Sequence, residues 1–321
     1  MIKRIMFCGI MLLYTTIADV IAQNQTDAVD SWNYTYDLHY AEIDDSTQIA
    51  FVDEGPKAFE VTLLFIHGLG SNLEAWRKNI EELSENYRCI ALDLPGYGKS
   101  STGDYPFTMT YFADAVKRFA EHLELENIIL VGHSMGGQVA MHTALKEEME
   151  IARLVLVAPA GIETFSDQDA QWLKQVVTPL VIKMTPPAQV VKNFEANFHE
   201  MPDDARFMID DRMQLIESPQ FEAFAQMIPR CMAGMLDEPV FDRLGEIKLK
   251  TLIIYGESDG LIPNKYLHPE LTVELIGQAA KEAMPNAVLL FVPNAGHFVQ
   301  WEGVDMVNTA IDGFARSQST H

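Results

Sequence analysis

Cysteine is scarce in this chain, with 3 among 321 residues. Cys8 falls in the first apolar stretch, Cys89 in "RCIALD" and Cys231 in a Met-rich region. No pair has the spacing of a zinc site or a redox couple, so no metal is expected. An oxidising compartment would permit a Cys89–Cys231 bridge, but a thiol within an apolar run reads first as a small core side chain. Basic residues are also few: 23 Lys and Arg stand against 46 Asp and Glu, a net charge of −23. Such a surface repels nucleic acid and anionic membranes, and neither is expected as a partner. Repeats, low-complexity tracts and a separate linker are lacking too.

What is present begins with residues 1–22. Lys3 and Arg4 precede an apolar stretch from Ile5 to Ile17, and Val20-Ile21-Ala22 offers a small-residue cleavage site. This reads as a signal peptide, too short for the ~20 apolar residues of a spanning helix. It implies a secreted or periplasmic protein without a stable membrane anchor.

From residue 61 onward, short apolar runs alternate with segments of helical period. "VTLLFIHG", "CIALD", "NIILVGHS", "ARLVLVAP", "TLIIYGESD" and "AVLLFVPNAGH" are continuous rather than alternating, as strands covered on both faces should be. Between them Leu73, Trp76, Ile80 and Leu83, and later Phe112, Val116, Phe119 and Leu123, recur at three and four. The order strand, helix, strand predicts an α/β fold with a mostly parallel, doubly wound sheet. "YTYDLHYAEIDDSTQIAFVDEG" predicts an antiparallel N-terminal hairpin turning near Asp44-Asp45-Ser46. One connection, Ala160 to Leu244, far exceeds the usual ~2–6 residues. It holds seven of the 16 methionines and is punctuated by prolines from Pro179 to Pro239, Pro229 among them, which predicts an inserted helical cap. The core is therefore expected over 23–159 and 245–321, and the cap over 160–244.

In an open parallel sheet, ligands meet the carboxyl ends of the strands. Gly132-His133-Ser134-Met135-Gly136 stands at such an end and matches the G-x-S-x-G nucleophile elbow, with a strand before it and a helix after. Small residues two before and two after let Ser134 project from a sharp turn. The helix behind aims backbone N–H groups at developing negative charge, that of Met135 first.

"HGLGSN", "DLPGYGKS", "GHSMGG", "GESDGLIP" and "NAGHFVQWE" follow one another in an order that resembles the α/β-hydrolase superfamily over nearly all of residues 35 to 316. The resemblance implies a serine hydrolase with a catalytic triad: Ser134 as nucleophile, His297 as base and Asp259, rather than Glu257, as the acid that orients it. It also implies a second oxyanion donor at the N–H of Leu69, and no cofactor. His67 and His133 read as loop-packing residues, and Asp93 as a brace for the "DLPGYGKS" loop. The other histidines, His268 included, have no motif around them. One departure is that Asp259 and His297 are 38 residues apart, about ten more than the family pattern, which predicts an extra turn or short helix near Leu267.

The function implied is hydrolysis of carboxylic esters or lactones, with a small apolar molecule as partner. Carbon–carbon bond hydrolases and cofactor-free haloperoxidases or perhydrolases resemble the same motifs. A non-catalytic ligand-binding protein on this fold is the alternative of another class.

Overall fold

A computed structural model describes residues 29, 32–57 and 60–317. The expected signal peptide lies outside these residues.

Eight strands form one sheet: β1 (His39–Asp44), β2 (Thr47–Glu54), β3 (Thr62–Ile66), β4 (Arg88–Leu92), β5 (Ile128–His133), β6 (Ile151–Val157), β7 (Thr251–Gly256) and β8 (Ala287–Val292). Their order is β1-β2-β4-β3-β5-β6-β7-β8. The β1–β2 and β2–β4 pairs are antiparallel and the remaining pairs parallel. Chain order thus reverses around β3, and the elbow strand β5 lies centrally beside it. The continuous apolar runs are explained by burial: β3, β5 and β7 are buried at every position. Layers on both faces exclude water from them.

Helices α1 (Arg77–Leu83), α2 (Met109–His122), α3 (Met135–Lys146), α9 (Val273–Ala283), α10 (Val299–Glu302) and α11 (Val304–Arg316) cover the sheet. Each buries an apolar stripe, as α2 does with Phe112, Val116 and Phe119, all 0–1% exposed. Thr108 and Thr272 cap α2 and α9, accepting from the amides of Tyr111 and Leu275. Leu73–Trp76 forms a short 3-10 turn whose Trp76 ring packs 5.0 Å from Phe65, and burying such a ring contributes roughly 2–3 kcal/mol.

Between β6 and β7 the chain forms α4 (Asp167–Val176), α5 (Pro179–Met184), α6 (Pro187–Glu195), α7 (Phe207–Ile216) and α8 (Phe221–Asp237). A capping box of Ser166 and Asp169 starts α4, and Pro179 and Pro187 stand at the first positions of α5 and α6. Pro229 does not punctuate as the sequence suggests. It lies inside α8, where burial of the adjacent Met227, Ile228 and Cys231 keeps the helix continuous across the lost N–H. The segment after Asp259 forms turns at 265–267 rather than a helix before α9 begins.

Candidate active site

Ser134 sits between β5 and α3 with φ 54° and ψ −119°, a left-handed backbone that only a strongly held turn maintains in a non-glycine residue. The flanking structure supplies that hold: Ser134 donates its amide to Val157 at 3.0 Å, and its carbonyl accepts from Gly137, Gln138 and Ala160 at 2.9, 3.2 and 3.0 Å. The glycines around it are required by space. A Cβ on Gly132 would stand 2.3 Å from the Gly136 carbonyl oxygen, and one on Gly136 would stand 2.4 Å from that of Ile66.

Asp259 follows β7 and is 4% exposed, as is His297 after β8. The Asp259 Oδ2 lies 2.8 Å from His297 Nδ1, and its Oδ1 accepts from the amides of Leu261 and Ile262 at 2.8 and 3.0 Å. The carboxylate is satisfied on both oxygens, so it fixes the imidazole with Nδ1 protonated and Nε2 free to accept.

Ser134, His297, Gly68 and Leu69 line one cavity of about 390 Å³. A Cβ on Gly68 would stand 3.0 Å from the Ser134 Cβ, so the backbone leading to Leu69 passes directly beside the Ser134 turn. Met135 opens α3, and its side chain is buried against Tyr97, 3.8 Å from the phenolic oxygen. Apolar walls come from Ala170 and Leu173 of α4 and from Met232, Met235 and Leu236 of α8. Glu163 and Asp167 are the carboxylates lining the cavity, and no Lys or Arg lines it among the described residues.

A family model described as alpha/beta hydrolase fold matches residues 61–180. The uncharacterized hydrolase YugF of Bacillus subtilis is 30% identical over 259 residues, covering 79% of this chain and 90% of that protein. The chain belongs to the alpha/beta hydrolase fold family. A 2-hydroxy-6-oxononadienedioate/2-hydroxy-6-oxononatrienedioate hydrolase of Cupriavidus pinatubonensis is 25% identical over 266 residues, 79% of this hydrolase and 86% of the relative. Among solved structures, a "probable hydrolytic enzyme" of Pseudomonas aeruginosa superposes with a TM-score of 0.79 at 24% identity, covering 90% of this chain and 96% of the other.

The remaining motif residues of this hydrolase have structural partners. His67 lies in the core, its Nδ1–H donating to the Gly68 carbonyl at 2.8 Å while Nε2 accepts from the Leu94 amide at 3.1 Å; burial lowers its pKa to about 4. Asp93 braces its loop by accepting from Tyr34 Oη and from the amides of Leu73 and Lys99 at 2.7–2.8 Å. Burial pushes its carboxyl up to about 7, against these donors. Cys89 and Cys231 are free and buried, and the bridge considered from the sequence is absent.

Two groups near the site carry no sequence motif that announces a role. Glu302 accepts from Gly296 at 2.7 Å, just before His297, and from His199 and Glu200 at 2.9 and 2.8 Å, tying the histidine loop to the inserted segment. Glu163, after β6, accepts from the Asn264 amide and from His268. "NAGHFVQWE" contains Glu302, so its position was visible though its task was not. Nothing in the sequence around Glu163 distinguishes it.

Proposed function

We propose that this chain is a serine hydrolase that cleaves carboxylic esters or lactones through an acyl-enzyme. The observation that carries this reading is that His297, held at Nδ1 by Asp259, lines the same apolar cavity as Ser134 on its strained turn. Ser134 Oγ attacks the carbonyl carbon while His297 Nε2 takes its proton. The carbonyl oxygen, now negative, is received by the N–H of Leu69, in the loop after β3, and that of Met135, at the start of α3. Collapse expels the alcohol, which leaves with the proton from His297. Water then repeats the sequence on the acyl-enzyme and restores Ser134. No metal or organic cofactor enters this chemistry.

The inserted helices over 160–244 act in this reading as a cap roofing Ser134. The two carboxylates and the lack of Lys or Arg in the cavity favour an uncharged, apolar acyl group. Residues 1–22 direct export, and the mature enzyme works outside the cytoplasm.

A second reading is cleavage of a carbon–carbon bond in an anionic keto acid. It is favoured by Arg212, which lines a neighbouring cavity of about 230 Å³ that shares Leu69, Ser71, Asn197 and Phe298 with the first. Arg212 engages the Gly70 carbonyl oxygen at 2.6 Å and the Phe224 ring at 4.1 Å rather than a carboxylate.

A fluorophosphonate probe tests the shared nucleophile, and a rate panel separates the bonds cleaved. Covalent labelling of Ser134 with faster turnover of aryl esters or lactones than of 2-hydroxy-6-oxo dienoates is expected. Faster dienoate cleavage selects the second reading, and an unlabelled Ser134 in native protein ends both.

A further inference from the structure

Outside Ser134, His297 and Asp259, a second carboxylate–imidazole pair, Glu163 and His268, stands beside the same cavity, with Glu163 on its wall. Glu163 follows β6, which lies in the sheet between the strand that delivers Ser134 and the strand that delivers Asp259. Its side chain is 6% exposed and lines the cavity. Both of its oxygens accept from the Asn264 amide at 3.0 Å, and Oε1 stands 2.5 Å from His268 Nδ1. The Phe165 ring packs 5.3 Å from the His268 ring and shields the pair.

The segment that Glu163 holds begins at Asp259. Asp259 Oδ1 accepts from Leu261 and Ile262, and Asn264 Oδ1 accepts from Tyr266 and Leu267 at 3.0 and 3.1 Å, so the run from 259 to 267 is a chain of short turns. Such a run has no sheet or helix ladder to fix it, and its placement depends on what grips it from outside. The Asp259 amide ties the start of the run to Gly256 at 3.1 Å, and Glu163 grips it further on, at Asn264. The segment carrying Glu163 is itself bonded to the nucleophile, because the Ala160 amide donates to the Ser134 carbonyl at 3.0 Å. The route from Ser134 through Ala160, Glu163 and Asn264 to Asp259 is continuous and short.

We propose that Glu163 is a positioning residue for the hydrolytic centre, setting the separation of Asp259 from Ser134 by clamping Asn264 while its own loop is bonded to the nucleophile turn. This rests on the serine hydrolase reading given above. A buried carboxylate suits the task because it accepts from two donors at once and the His268 pair fixes its rotamer. With the clamp removed, Asp259 drifts from His297 Nδ1. A misplacement of about 1 Å in such a centre costs up to ~10²-fold in rate.

The test compares full-length wild type with Glu163→Ala and Glu163→Gln, by fluorophosphonate labelling rate, kcat and KM on an aryl ester, and the pH profile of kcat/KM. Glu163→Ala is expected to lower kcat and the labelling rate by about 10- to 100-fold with KM little changed. Its acidic limb moves to lower pH, because an imidazolium less well supported by Asp259 loses its proton more readily. Glu163→Gln keeps an acceptor for Asn264 and is expected to recover most of both. A Glu163→Ala enzyme with wild-type kcat and acidic limb, whatever its melting temperature, overturns the clamp. Should Glu163→Ala fail to fold, Glu163→Asp carries the test against Glu163→Gln, since it keeps the charge and withdraws the carboxylate. Lower kcat in Glu163→Asp than in Glu163→Gln supports the clamp, and equal kcat overturns it. Wild-type protein that does not label at Ser134 overturns the functional reading and the clamp with it; labelled wild type with an equally labelled Glu163→Ala overturns the clamp alone.

Discussion

The carbonyl oxygen of His297 accepts a hydrogen bond of 3.0 Å from Nε2 of His133, the residue immediately before Ser134. The two rings lie 4.9 Å apart, with Phe298 packed 5.0 Å from His133. The Ser134 turn and the histidine loop are therefore joined directly, by a side chain that also lines the cavity. Burial first, and the neighbouring His297 second, lower the His133 pKa well below its ordinary value, so the ring stays neutral with its proton on Nε2.

His133→Phe keeps a ring of similar size and removes the N–H. A buried carbonyl left without its donor costs roughly 1–3 kcal/mol, and the histidine loop becomes less well placed. Ester hydrolysis is expected to fall about tenfold in kcat/KM, with a lower melting temperature. Wild-type kinetics in this variant would show that the bond does not position His297.

In the proposed mechanism, Ser134→Ala should abolish fluorophosphonate labelling and lower kcat by as much as ~10⁶, leaving only binding and oxyanion stabilisation. Steady-state rates on the best ester of the substrate panel provide the check. Full activity would remove Ser134 from the chemistry.

Gly136→Ala places a methyl 2.4 Å from the Ile66 carbonyl oxygen and 2.5 Å from that of His67, both rigid backbone at the end of β3. Overpacking of this kind costs about 1–3 kcal/mol, and here it also displaces the strand end that leads to Leu69. Chemical denaturation should show the loss, and the residual folded enzyme should label more slowly than wild type. A variant with unchanged midpoint and labelling rate would contradict the crowding described here.

His67 supplies a pH prediction. Its pKa is about 4 in the fold against 6.5 for an unhindered imidazole, so the unfolded chain binds the proton more readily between those values. The stability it contributes is complete above pH 6.5 and is lost as pH falls toward 4, at up to ~1.4 kcal/mol per pH unit. The carboxyl of Asp93, raised to about 7 from 3.8, acts in the opposite sense, its contribution being complete below 3.8 and lost as pH rises through 7. NMR titration of the ring protons isolates His67, which should remain neutral down to about pH 4. A midpoint near 6.5 would mean that the ring is not buried as described here.

Cys89 and Cys231 are 0% exposed, and burial pushes both thiols up, Cys231 to about 12. Neither forms the reactive thiolate near neutrality. A chromogenic disulfide reagent should react with no thiol of these two in native protein, and with both after denaturation. Rapid reaction in the native state would place one of them at the surface.

The order of strands and helices, the hairpin turn at Asp44-Asp45-Ser46, and Ser134, Asp259 and His297 as candidate residues were all legible in the chain. Each is written locally: an unbroken apolar run of strand length bounded by turn residues reads as a covered strand, and a serine between glycines fits a turn too tight for a Cβ. Pro229 was misread because proline is disfavoured within a helix in general, whereas at this position Met227, Ile228 and Cys231 bury enough to keep α8 intact. The grips of His133 on His297, Glu302 on Gly296 and Glu163 on Asn264 left no local mark. They join residues 164, 6 and 101 positions apart, and even the short one closes a loop whose shape depends on distant packing. Sequence by itself determined which side chains stand at the ends of the strands, because periodicity and turn chemistry act within a few residues. Only the tertiary structure decided what holds them there, because a hydrogen bond needs its partner within about 3 Å, and only the folded sheet brings such partners together.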